Sequence, residues 1–179
     1  LYNAKDEQLL AEYAEKTIDN PLIQRPYLLA VERLEESQKD LSTLIRAYSL
    51  LVHEHHISEW LYIIGKGKDE AQLKQLAKTL QVADKVVFLG FQPTPLPWIS
   101  HCKIFVHSAK FEGLPTVLIE ALLLDKLIVA TDCPTGPREI LDHGRCGLLT
   151  PVGDAPAFAA AVLQLLNDKS LQQRLLSAA

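Results

Sequence analysis

Short runs of consecutive apolar residues alternate along this chain with longer stretches in which apolar positions recur every three or four residues. The runs are Tyr27-Leu28-Leu29-Ala30-Val31, Leu61-Tyr62-Ile63-Ile64, Val86-Val87-Phe88-Leu89, Ile104-Phe105-Val106-His107, Leu127-Ile128-Val129-Ala130 and the shorter Gly147-Leu148-Leu149. Runs of that length, bounded by turn residues, suit strands covered on both faces. Between them Leu41, Leu44, Ile45, Tyr48, Leu51 and Val52 follow helical spacing, as do Leu73, Leu76, Ala77 and Leu80, and later Phe158, Val162, Leu165 and Leu166. Asp40 and Asp154 stand where helix N-caps belong. Pro93, Pro95 and Pro97 make a stiff loop before a short helix around Trp98, Gly136-Pro137 opens another through Ile140, and the residues from Leu171 read as helix. Residues 1–20 read as a polar amphipathic helix, with Leu9, Leu10, Tyr13 and Ala14 on one face. Pro21 and Pro26 bracket a break after it.

Strands alternating with helices predict an α/β fold: a Rossmann-like parallel sheet of about six strands, right-handed crossovers and helices on both faces. Ligands of such sheets sit beyond the C-terminal strand ends. The loops after the first four strands are therefore the candidate site.

Composition narrows the function classes. The chain has 179 residues, 48% apolar and 22% charged, enough for one domain with a large core. Its net charge of −4 offers no basic field for nucleic acid. No apolar run approaches the ~20 residues that span a bilayer, and the polar, acidic start has no signal-peptide pattern. The expectation is a cytoplasmic protein, with peripheral contact at the inner face of a membrane left open. The absence of any Met suggests a piece of a longer protein. Cys102, Cys133 and Cys146 are odd in number and widely spaced, which fits neither a zinc pattern nor a disulfide framework. His53, His55 and His56 lack a carboxylate or thiolate at zinc spacing and read as solvated, so no metal is expected. No Ser/His/Asp order suggests a hydrolase.

The most informative stretch is Phe111-Glu112-Gly113-Leu114-Pro115-Thr116-Val117-Leu118-Ile119-Glu120, which reads as strand, tight loop, helix. Gly113 permits a sharp turn or a close approach. Pro115 suits the first helical position. The N–H groups of Thr116 and Val117 at the helix start then form a ready anion site. Glu112 stands in the loop and Glu120 within the helix, in apolar surroundings where a carboxylate needs a partner. Earlier in the chain Arg33 and Lys39, six positions apart with Lys39 at a helix start, can reach one diphosphate; the alternative is a solvated loop rich in Glu35, Glu36 and Asp40. Gly65-Lys66-Gly67 is a lone Gly-x-Gly without the third glycine of a dinucleotide fingerprint, so a plain tight turn competes with nucleotide binding. Phe91 offers a stacking face for a base or packs at a loop entrance. His107 reads as a structural strand-end histidine, and Thr135-Gly136-Pro137-Arg138-Glu139 as a structural loop shaping the cleft wall.

Glu112 and Glu120, with seven residues between them inside this string, resemble the E-x(7)-E motif of the family 4 retaining glycosyltransferases of GT-B architecture. The resemblance runs from about Tyr27 to about Leu166 and matches only the C-terminal, donor-binding half of such enzymes. It implies that residues 1–26 are the linker and helix from a missing N-terminal domain and that residues 27–179 form the nucleotide-sugar-binding domain. It implies that Arg33 and Lys39 hold the donor phosphates, with Glu112 these being the residues nearest the chemistry. Gly65, Phe91, Gly113, Leu114, Thr116 and Val117 would line the donor, Glu112 would meet the sugar hydroxyls and Glu120 the ribose diol. The family usually has Gly before that Arg, where this chain has Glu32, an acid placed beside an anion. The resemblance further implies a UDP-sugar donor, no cofactor or metal, retaining transfer of a hexose or N-acetylhexosamine, and a sugar or lipid acceptor met by the missing domain. Surface-polysaccharide synthesis is the expected setting. Two other readings stand beside it: a non-catalytic sugar-nucleotide-binding module, and a GT-B epimerase or hydrolase of UDP-sugars with Glu112 and His107 as its acid/base candidates.

Overall fold

The computed structural model describes residue 12 and residues 20–179. The expected helix over residues 1–20, with Leu9, Leu10, Tyr13 and Ala14, lies almost wholly outside the described residues, as does most of the expected 1–26 linker. A 3₁₀ turn, Pro21–Gln24, occupies the break between Pro21 and Pro26, with the Asn20 side chain accepting from Leu22 N–H at 3.0 Å.

All six expected apolar runs are strands: β1 Tyr27–Val31, β2 Trp60–Ile64, β3 Val86–Gly90, β4 Ile104–His107, β5 Leu127–Thr131 and β6 Leu148–Thr150. They form one parallel sheet in the order β3-β2-β1-β4-β5-β6. Among the described residues the helices are α1 Glu36–Lys39, α2 Leu41–His53, α3 Glu70–Thr79, α4 Leu96–His101, α5 Thr116–Leu123, α6 Pro137–Ile140, α7 Ala155–Asn167 and α8 Lys169–Leu176, with a 3₁₀ turn at Asp142–Gly144. Asp154 caps α7 as expected, its carboxylate accepting from Ala157 N–H at 2.9 Å. None of the helices among the described residues is long and apolar enough to cross a membrane.

Alternation along the buried strands produces two cores. Leu28, Ala30, Leu61, Ile63, Ile104 and Val106 face one side, against α2, α3, α7 and α8. Tyr27, Leu29, Tyr62, Ile64, Phe105 and Ile128 face the other, against α4 and α5. The second side carries an aromatic cluster: Tyr27 stacks on Tyr62 with centroids 4.5 Å apart, and Trp98 meets both edge-on at 6.2 and 6.0 Å. The Tyr27 hydroxyl donates to the Trp98 carbonyl at 2.7 Å, tying α4 to the first strand. Burial drives the Tyr27 phenol far above its ordinary range, so that donor stays protonated.

Strand order reverses between β1 and β4, since the chain leaves β1 toward β2 and returns to its other side only at residue 104. That switch point leaves a crevice beyond the two strand ends. Tyr27→Phe keeps the packing but strips the buried Trp98 carbonyl of its donor. It should lower unfolding stability by about 1–2 kcal/mol, read as a lower urea midpoint at unchanged slope; an unchanged midpoint would show that the bond contributes nothing.

Candidate active site

The loop after β1 is pinned before it reaches the crevice. Leu34 is 1% exposed, and its backbone bonds both Lys66 C=O and Asp69 N–H, at 3.1 and 3.2 Å. Gly65 lies so close to this loop that a Cβ there would sit 1.8 Å from the Glu32 carbonyl oxygen, and one on Gly67 would sit 2.1 Å from that of Leu34. The Gly-x-Gly pair therefore exists first for backbone contact, in keeping with the turn reading.

Three local expectations need correction or refinement. Asp40 holds the N-cap position of α2 as expected, its carbonyl accepting from Thr43 N–H at 3.0 Å, but at φ 45, in the left-handed region, its side chain makes no cap hydrogen bond. Glu36 supplies that bond, accepting from Ser42 N–H at 3.0 Å, while Asp69 accepts from Glu36 N–H at 2.8 Å. Lys39 sits at the end of α1 rather than at a helix start. Pro115 occupies the N-cap position of α5, one place before the first helical residue; its carbonyl accepts from Leu118 N–H at 3.0 Å.

The loop after β4 is fastened to α1 and to β5. Lys110 donates to the Gln38 carbonyl through its backbone, at 2.7 Å, and to the Glu36 carbonyl through Nζ, at 2.6 Å. The Thr131 hydroxyl both accepts from Ala109 N–H and donates to its carbonyl, each at 2.8 Å. Glu112 is held by its backbone to Pro134 and Thr135. A Cβ on Gly136, at φ +85, would lie 2.6 Å from Pro115 Cδ, so the Thr135–Glu139 loop packs directly on the turn into α5 and shapes the crevice wall as expected.

The expected site residues fall into groups. Arg33, Gly65 and Phe91 share a cleft of about 460 Å³ with Val31, Gln92 and Pro95. Arg33 is exposed and pairs with Glu35 at 3.4 Å; Phe91 is 63% exposed. Lys39 and Glu112 form a second centre, an ion pair with both side chains largely buried. Gly113, Leu114 and Thr116 are exposed at the mouth of α5, while Val117 and Glu120 are half-buried on it.

Two residues of the centre escaped the role they play. His107 is fully buried, with Nε2 3.3 Å from Glu112 Oε1 and Nδ1 3.1 Å from Glu32 Oε1, both off the line of an ideal hydrogen bond. Glu32 does not stand free beside an anion. It is 5% exposed, and its carboxylate accepts from Ser108 N–H at 2.9 Å. Strand-end His107 is thus structural in part, but it links the acid of β1 to the acid of the β4 loop. The signal in the sequence was the pairing of an acid after one central strand with a histidine ending the next.

Electrostatics follow from this contact. Burial alone would push His107 down, but the charge of Glu32 and the contacts with Glu112 and Glu32 outweigh it and carry its pKa up to about 9. Burial pushes Glu32 up, opposed by His107, Lys39 and Ser108. Both directions mean that the pair holds one proton tightly. Burial would raise Glu112 too, yet His107 and Lys39 hold it below its ordinary value. Among the described residues no group of three or more His, Cys, Asp or Glu is arranged to hold a metal ion; His53 Nε2 lies 2.9 Å from the Leu80 carbonyl.

The proton on the pair generates a pH effect of definite sign. His107 has a folded pKa raised above its ordinary 6.5, so its contribution is complete below pH 6.5 and is lost as pH rises toward about 9. Unfolding free energy should fall across that window, by on the order of 2–3 kcal/mol, whereas His107→Gln should give a flat profile there. Denaturant titrations at pH 6, 7.5 and 9 measure it; a flat profile in the unaltered chain would refute the tight proton.

Comparison with known proteins agrees with this arrangement. The family model described as glycosyl transferases group 1 matches residues 14–179. An N-acetylgalactosamine-N,N'-diacetylbacillosaminyl-diphospho-undecaprenol 4-alpha-N-acetylgalactosaminyltransferase of Campylobacter jejuni is 32% identical over 97% of this chain and 45% of its own length. The lipopolysaccharide core biosynthesis glycosyltransferase LpsE of Rhizobium meliloti is 32% identical over 84% of this chain and 42% of its own. The chain thus spans less than half the length of these relatives. The crystal structure of Anabaena HepE in complex with UDP and glucose superposes with a TM-score of 0.78 at 21% identity, over 99% of this chain and 47% of that one. With the Rossmann-like sheet, the crevice at its switch point and these matches together, the chain belongs to the group 1 glycosyltransferases and has the fold of the C-terminal domain of a GT-B enzyme.

Proposed function

We propose that this chain supplies the donor site of a retaining glycosyltransferase that takes a hexose or N-acetylhexosamine from a UDP-sugar. The observation that carries the reading is the buried Lys39–Glu112 ion pair at the turn into α5, beside the cleft that Arg33, Gly65 and Phe91 share. Phe91 would stack on the base, and Glu120 would take the ribose diol. Arg33, Lys39 and the N–H groups of Thr116 and Val117, with Gly113 and Leu114 at the same turn, would hold the diphosphate without a metal ion.

The work asked of these groups is to stabilise a leaving diphosphate. An acceptor hydroxyl attacks the anomeric carbon from the face the diphosphate leaves. The bond from that carbon to the phosphate oxygen breaks with its electron pair going to the diphosphate, and the hydroxyl proton passes to the departing oxygen. Charge-assisted contacts contribute about 1.5–3 kcal/mol each. The acceptor, a sugar or a lipid-linked sugar as named for the Campylobacter relative, would be met by sequence outside this segment. Surface-polysaccharide synthesis suits the names of the relatives, and a lipid-linked acceptor would bring a cytoplasmic enzyme to the membrane's inner face.

The other readings have less support. Epimerisation or hydrolysis would need an accessible acid/base pair, and His107 is fully buried. A non-catalytic module drew its support from Glu32 in the phosphate loop, and that carboxylate is engaged by Ser108 and His107.

Calorimetric titration with UDP tests the reading. The chain should bind UDP; Arg33→Ala combined with Lys39→Ala, and separately Glu120→Ala, should each weaken binding by about 10–100-fold. UDP binding unchanged by both would refute the assignment, as would no binding of UDP. The segment alone should transfer no sugar from a UDP-sugar to added acceptors, and observed transfer would refute its dependence on further sequence.

A further inference from the structure

Three facts about Glu112 belong together. Both contacts to its carboxylate, from Lys39 and from His107, fall on Oε1. The ring behind it is inaccessible to solvent and to any ligand. That ring is fixed from the other side by Glu32, whose own carboxylate is fixed by the backbone N–H next to His107.

We propose that His107, backed by Glu32, is a positioning residue for the donor sugar: it holds Glu112 through Oε1 and leaves Oε2 to accept from sugar hydroxyls. This rests on the donor-site reading above and adds to it the residues that set the sugar contact.

The chemistry favours an imidazole at this point. Two carboxylate oxygens face opposite ring nitrogens, and a neutral imidazole can donate through only one of them. One further proton at the Glu32 contact resolves this in either of two ways. The ring is an imidazolium donating to both acids, or Glu32 is protonated and donates to Nδ1. In both arrangements Nε2 carries a hydrogen toward Glu112. Glu32 thus fixes which nitrogen donates, through its charge or through its own proton. Lys39 then serves two groups at once, Glu112 Oε1 and the donor phosphate, because an ammonium has three N–H bonds. Glu112 meanwhile stays ionised next to a sugar without having to recruit its own counter-charge from the ligand.

Sequence separation explains why the device needs the folded sheet. Glu32 follows β1 and His107 ends β4, its paired neighbour, in which Leu28 lies beside Ile104 and Leu29 beside Phe105. The acid and the imidazole therefore meet on the floor of the crevice, one layer beneath the residue that would touch the sugar. The charged or titratable groups facing this centre are Glu32, Lys39, Glu112 and Cys133, whose thiol is buried and pushed up to about 11, so that it stays neutral.

The test compares the chain's affinity for UDP with its affinity for UDP-glucose, UDP-galactose, UDP-N-acetylglucosamine and UDP-N-acetylgalactosamine. The unaltered chain should bind at least one sugar nucleotide more tightly than UDP. His107→Gln should keep UDP affinity within twofold while the sugar's increment falls at least tenfold, and Glu32→Leu, which can neither accept from nor donate to the ring, should lower the increment in the same selective way. An increment that survives in His107→Gln, or a parallel loss of UDP affinity, overturns the proposal, as does an unaltered chain that gains nothing from any sugar. No UDP binding by the unaltered chain removes the donor site and the proposal together, which separates the two failures. Should the substitutions prevent folding, the unaltered chain decides by nitrogen NMR: the His107 Nε2 resonance should move when the sugar nucleotide replaces UDP, and a resonance indifferent to the sugar overturns the proposal.

Discussion

A buried imidazole held between two carboxylates is the contact on which the geometry of this site depends. Removing one member takes a contact from a charge that has little or no water to replace it, which costs more than the contact itself returns. The chain meets this by giving each acid more than one contact. Glu32 has His107 and the Ser108 N–H; Glu112 has His107 and Lys39; and the Ser108 hydroxyl returns to the Lys39 carbonyl at 3.0 Å. The loops after β1 and β4 are therefore cross-linked by charge at the point where the sheet's strand order reverses. Lys110, capping the end of α1 from the other loop, repeats the cross-link with backbone partners.

Rigidity at this end of the sheet contrasts with the mouth of the site. Phe91 and Leu114 are largely exposed at 63% and 66%, and Arg33 rests only on a neighbouring acid. A side chain that must reach a ligand gains from being loosely held before it arrives. A carboxylate that must choose among sugar hydroxyls gains from being fixed beforehand. The two centres differ in that respect, and under the proposed donor-site reading the acid in the loop after β1 would be compatible with an anionic ligand because its charge is answered from below.

What was legible in the sequence was whatever has a local cause. Six strands stood out because a strand covered on both faces must be apolar at every position, and Asp154 was recognisable as a cap because the N–H it accepts from lies three residues on. The motif spacing singled out Glu112, which the structure places in a buried ion pair with Lys39, and Glu120, half-buried on α5. The incomplete readings share the opposite cause. Asp40 holds the cap position, but its left-handed backbone leaves the side chain without the cap bond, and the short α1 has no apolar face to announce it. The readings of Glu32 as a departure from a glycine and of His107 as a structural strand-end residue hold but are incomplete. Each residue is half of a contact between positions 75 apart, and no local pattern encodes the other half.

Central strand β1 carries a further consequence, this one for synthesis of the chain. It bonds β2 on one side early, but its second neighbour β4 begins only at residue 104. Until then a nascent three-stranded sheet presents Tyr27–Val31 as an open apolar edge, the kind of surface that invites pairing with another chain. Arrival of β4 closes the edge and, in the same step, gives Glu32 its counter-charge. A chain in which β4 has not yet docked therefore combines an open apolar edge with an acid that still lacks its imidazole.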